Sequence, residues 1–104
     1  MMKENRRRHE RILIPEHKMP TCEGVNRPLA GRVLVLGTGG AYLLTNDRYP
    51  AGTEFELRIC AGSEVIETPC VVRDVESGGM GVEFTWLRAA AETKLRKLVT
   101  RLKS

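Results

Sequence analysis

Between positions 6 and 11 the chain reads Arg6-Arg7-Arg8-His9-Glu10-Arg11, directly ahead of the apolar run Ile12-Leu13-Ile14. A guanidinium group is planar, permanently charged and forked. It grips phosphate oxygens or the O6/N7 edge of a guanine in paired hydrogen bonds, and it stacks on purines. Arg7 and Arg11 stand four apart with Arg8 between them. Arg11 abuts the apolar run, so it is anchored where a polar arm meets the folded body. The competing reading is a solvated basic tail. Arginine rather than lysine at four of the five basic positions in residues 1–11 favours anion capture.

Other chemistry-bearing groups are sparse. Gly37-Thr38-Gly39-Gly40 follows an aliphatic run, and a glycine-rich turn can cradle phosphate with backbone N–H groups. It is not a P-loop, because no Lys-Ser or Lys-Thr follows. It is not a dinucleotide fingerprint either, because Tyr42 stands where GxGxxG needs glycine. Taken alone it reads as a turn. His9 and His17 have no partners at metal-ligand spacing, and no metal site is expected. The acids fall mainly on outer strand faces with no pair placed for acid–base work, so no enzyme and no catalytic residue is expected. Cys22, Cys60 and Cys70 are odd in number and lack a CxxC pair, which suggests neither a disulfide framework nor a zinc knuckle. They read as small buried or partly buried side chains.

The elements that must position the arginines come from 104 residues, one domain's worth, with 41% hydrophobic and 29% charged residues. No stretch approaches the ~20 apolar residues of a membrane-spanning helix. The charged start lacks the apolar core of a secretory signal, and a cytoplasmic protein is expected. The net charge of +4 is unevenly placed. Residues 1–11 hold five bases against two acids, and residues 86–104 six against one. The middle holds six bases against ten acids. A groove that tracks nucleic acid wants positive charge spread along the fold, and the aromatics form no compact motif, so nucleic acid is not the expected partner. A compact anion needs only one guanidinium cluster.

Strands dominate the rest. Arg11–Ile14 is a first strand ended by Pro15. Residues 15–28, with Pro15, Pro20, Gly24 and Pro28, read as a loop or irregular edge. Arg32–Leu36 and Ala41–Thr45 flank the glycine turn. In 53–59, Phe55, Leu57 and Ile59 alternate with Glu54, Glu56 and Arg58, the signature of a half-buried strand. Val65–Arg73 is another strand, although Pro69 within it demands an edge position or a bulge. Gly81–Phe84 alternates once more. Short strands at this spacing predict a small antiparallel barrel or sandwich, and closure into a barrel removes exposed edges. The period then changes. Leu87, Ala91, Leu95, Leu98, Val99 and Leu102 form one helical stripe near 88–103 that covers one side of the barrel, with Glu92 and Arg96 placed to pair on its outer face.

In order and spacing these pieces resemble the PilZ domain family over nearly the whole chain, from Arg6 to Leu102. That family opens with RxxxR before its first strand, and Arg7-xxx-Arg11 matches. Its [D/N]xSxxG motif falls on Val35 to Gly40 within Gly31-Arg32-Val33-Leu34-Val35-Leu36-Gly37-Thr38-Gly39-Gly40. Pro50-Ala51-Gly52-Thr53 and Gly78-Gly79-Met80-Gly81-Val82-Glu83-Phe84 match its later turns and its GVxF strand. The resemblance implies an all-β fold with a C-terminal helix: a small six-stranded antiparallel barrel of split-barrel type over 11–104, behind a flexible arm, 1–10. It implies a receptor for the bacterial messenger cyclic di-GMP. The arm's arginines, Arg7, Arg8 and Arg11, would meet guanine and phosphate, with Gly37 and Gly40 beside them. No other cofactor is implied.

The chain departs from the motif at two positions. Val35 stands at the Asp/Asn position and Gly37 at the Ser position, and only Gly40 matches. Each lost hydrogen bond costs roughly 0.5–1.5 kcal/mol. Together they weaken binding ~10- to 100-fold. Glycine at 37 offsets part of this if it exposes its backbone N–H. Two readings follow: a single-domain cyclic di-GMP receptor that relays the signal to an unidentified protein partner, or a degenerate adaptor that binds no nucleotide and acts by protein–protein contact.

Overall fold

The computed structural model describes residues 11–103. The arm, 1–10, with Arg7 and Arg8, lies outside the described residues. Among these residues seven strands run in chain order: β1 (Arg11–Leu13), β2 (Thr21–Gly24), β3 (Ala30–Gly37), β4 (Gly40–Thr45), β5 (Glu54–Ala61), β6 (Glu64–Glu76) and β7 (Gly79–Phe84). A 3-10 turn (Glu16–Lys18) precedes β2, and helix α1 (Ala89–Lys103) ends the chain. All pairings are antiparallel. The order is β1-β3-β2-β5-β6-β7-β4, and β4 pairs back onto β3. Strands β2 to β7 therefore close a six-stranded barrel, and β1 lies outside the ring on the edge of β3 that β2 also uses.

The expected barrel and helix are present, but two assignments change. The segment 15–28 is not all loop, because it supplies barrel strand β2. The run at 11–14 gives a strand outside the ring. Strand β2 has a single buried apolar side chain, Cys22, between Pro20 and Pro28, so it shows no periodicity. Its place comes from backbone pairing to both β3 and β5.

Strand β5 folds as its alternation dictates, with Phe55, Leu57 and Ile59 buried inside the barrel. They meet Val33, Leu43, Ile66, Val72 and Met80 in one core. Pro69 is tolerated for a local reason. Its carbonyl accepts from Thr85 N at 3.0 Å, just past the end of β7, so the missing N–H also faces the side where β7 has run out. The bulge in β6 lies elsewhere, between Val72 and Asp74. Helix α1 lays Ala91, Leu95, Leu98 and Val99 against β3 and β6, as its stripe requires. Glu92 and Arg96 pair at 2.6 Å.

Candidate functional site: a cleft beside Arg11

Arg11 opens β1, opposite Gly37 of β3. Three residues later Ile14 is fully buried and donates its N–H to Leu34 O at 2.8 Å. Ile12 also packs toward the core, while Leu13 points outward and is 72% exposed. By the period of two, Arg11 shares the outward face with Leu13. The burial of Ile12 and Ile14 thus fixes the backbone from which Arg11 projects.

That projection meets a cleft of about 650 Å³, in the size range of small-molecule sites. Its walls come from the β3–β4 turn (Thr38, Gly39), from β6 (Arg73, Asp74) and from α1 (Glu92, Arg96). Tyr42 of β4 and residues 81–84 of β7 complete it. Arg73 pairs with Glu83 at 2.7 Å, and Arg96 with Glu92. Arg11 and Asp74 make no ion pair among the described residues. The Tyr42 hydroxyl donates to Glu76 Oε1 at 2.8 Å. Desolvation, and then the bond to Glu76, hold its phenol above the ordinary value, so it stays neutral and donating.

The expected site residues divide. Arg11 lines the cleft. Gly37 pairs with it but is buried, and Gly40 is buried at the start of β4, so neither is among the lining residues. Gly40 has a packing reason to be glycine, because a Cβ there would stand 2.4 Å from Val82 O of the neighbouring strand. Val35 is half-buried, between Leu13 on β1 and Tyr42 on β4. It reaches that position through a bulge at Leu34, which lets Val33 and Leu36 both face inward.

Tyr42, Arg73, Asp74 and Arg96 were not singled out from the sequence as site residues. Arg96 reads there as part of a solvated helix face. Tyr42 of β4 and the neighbours Arg73 and Asp74 of β6 lie far apart in sequence, and only the barrel's register joins them. Among the described residues no three His, Cys, Asp or Glu side chains are grouped to hold a metal ion, and no helix is long and apolar enough to cross a membrane.

Known proteins give the arrangement a context. The chain superposes on the PilZ domain of YcgR from Escherichia coli, solved with c-di-GMP (cyclic di-GMP). The TM-score is 0.78 at 20% identity, over 94% of this chain and 92% of that one. The Bacillus subtilis inhibitor of motility (MotI/DgrA) gives 0.71 at 20% identity, over 92% of this chain and 50% of that one. The Legionella protein Lpg0364 gives 0.63 at 16% identity, over 90% and 94%. At these identities the likeness establishes the fold. Among proteins of curated function none matches the chain in sequence. The sequence model of the PilZ domain matches residues 5–101, almost the whole chain, and the protein belongs to the PilZ domain family.

Proposed function

We propose that the chain is a cytoplasmic receptor for cyclic di-GMP, without catalytic activity, that passes the signal to a protein partner through its N-terminal arm. The observation that carries this reading is the position of Arg11. It is tethered by β1 at the lip of a cleft whose other charged walls are mostly paired, so its guanidinium is available to a phosphate. Arg7 and Arg8 precede it by four and three residues. Their Cα atoms therefore lie within about 14 Å of Arg11's, close enough for the arm to fold over an occupant. The Escherichia coli neighbour, solved with c-di-GMP, supports the choice of ligand. Closure of the arm over the ligand is a rearrangement a partner can read.

Calorimetric titration with cyclic di-GMP tests the reading. Wild type gives saturable heat, and Arg7→Ala or Arg11→Ala loses at least tenfold in affinity. Absence of heat at high protein concentration removes the proposal.

Val35 favours a second reading. An aliphatic side chain holds the outer position where the family places Asp or Asn, and it offers nothing to a base. On this reading the chain is an adaptor that binds protein alone. It requires that micromolar cyclic di-GMP leave the melting temperature unchanged, whereas a ligand bound only by the native state must raise it.

A further inference from the structure

The register of four strands builds one row on the outside of the barrel. Val35 of β3 lies opposite Tyr42 of β4, Tyr42 opposite Gly81 of β7, and Gly81 opposite Asp74 of β6. We infer that Asp74 reads the Watson–Crick edge of a guanine base stacked on Tyr42. The inference rests on the proposed cyclic di-GMP site and names the group that selects its base.

The platform comes first. The Tyr42 ring leans across β7, over two glycines. Its Cε1 is 3.0 Å from where a Cβ on Gly79 would stand, and its Cδ2 is 3.8 Å from the corresponding point on Gly81. Its hydroxyl is already engaged by Glu76. The ring is therefore held by its tip and sits on backbone that offers no competing side chains. Unpaired bases stack on such rings, and a tethered aromatic does so at little entropic cost.

The carboxylate comes second. A Cβ on Gly81 would stand 3.6 Å from Asp74 Oδ2, so Tyr42 and Asp74 flank the same open strip of β7 from opposite sides. The bulge between Val72 and Asp74 re-aims β6 at this point. Guanine presents two adjacent donors, N1–H and the 2-amino group, and a carboxylate accepts both at once. Adenine presents an acceptor at N1, which a carboxylate repels. The charge inventory agrees. Of the six charged side chains that line the cleft among the described residues, Arg73 is paired with Glu83 and Arg96 with Glu92. That leaves one cation, Arg11, suited to a phosphate, and one anion, Asp74, suited to a donor edge. The chain lacks a polar side chain at Val35, on one flank of Tyr42, and carries a carboxylate on the other.

Titrating wild type and Asp74→Ala with cyclic di-GMP and with its inosine analogue, which lacks the 2-amino group, separates the possibilities. Asp74 is exposed, so the variant folds, and its melting curve verifies this. Wild type binds the guanine compound about tenfold more tightly than the inosine one. Asp74→Ala weakens the guanine compound ~10- to 100-fold and binds the two alike. A variant that binds cyclic di-GMP as well as or better than wild type, or that keeps the preference for guanine, overturns the assignment of Asp74 and leaves the receptor reading standing. Failure of wild type to bind either compound overturns both.

Discussion

Two adjacent glycines offer a sharp test of the barrel's geometry. From the sequence, Ser77-Gly78-Gly79 is simply a turn. In the structure Gly78 sits at the tip with nothing within 4 Å of a prospective Cβ, whereas Gly79 opens β7 against β4, and its Cβ would lie 2.0 Å from Leu43 O. Real Cβ contacts stay beyond 3.0 Å, and the obstacle is backbone, so β4 and β7 must separate by more than an ångström. Overpacking of this kind costs ~1–3 kcal/mol. The Leu44–Gly79 pairing and the bond from Thr45 N to Gly78 O, already 3.2 Å, give way with it. Two ladder bonds at ~0.5–1.5 kcal/mol each bring the total to about 2–6 kcal/mol. For a domain this size that lowers the melting temperature by roughly 10–30 °C. Gly78→Ala meets no obstacle and no positive φ, so it is neutral or gains ~0.4–1 kcal/mol through the unfolded chain. Thermal melts of the two single variants decide the matter. A Gly79→Ala protein within a few degrees of wild type, or a Gly78→Ala protein equally damaged, would refute the close approach of β4 and β7.

Three further outcomes are expected. Leu95→Ala removes a fully buried side chain where α1 meets the barrel and costs ~2–5 kcal/mol, read as a lower urea midpoint. Val35→Asn restores one hydrogen-bonding group on the outer row and raises cyclic di-GMP affinity by roughly 2- to 12-fold in calorimetry; unchanged affinity would place the base elsewhere. Burial pushes the Cys22 and Cys70 thiols up to about 12, from an ordinary value of 9.0. Between those values the folded state holds protons that the unfolded state releases. Stability is therefore fully present below about pH 9 and falls as pH rises toward 12. A thiol reagent at pH 8 modifies the half-exposed Cys60 well before the buried pair, and equal rates at all three would contradict their burial.

The parts of the fold visible in the sequence are those where a period is enforced by burial on one side only. Strand β5 alternates because its outer face is wet, and α1 shows a stripe because its outer face is wet. Strand β2 was hidden because one cysteine carries all of its burial. The bulge at Leu34 was hidden because Val33-Leu34-Val35-Leu36 is aliphatic throughout and gives no cue to direction. Strand β6 runs to Glu76, three residues past its expected end, because Asp74, Val75 and Glu76 are all exposed and show no alternation. The candidate site divides in the same way. Arg11 was legible because its chemistry is local to a motif. Tyr42, Asp74 and Arg96 were not, because their convergence depends on barrel closure and on two bulges that shift register.

The proposed receptor role requires that cyclic di-GMP seat in the cleft beside Arg11. Backbone chemical shifts of isotopically labelled protein, followed through a titration with that ligand, test it directly. Saturable shifts are expected at Arg11, at 37–42, at 73–75 and at 79–84, together with changes at Arg7 and Arg8. Little change is expected at Thr21, Cys60 and Arg101, which line a separate cleft. Shifts confined to that second cleft, or none at all, would contradict the proposed role.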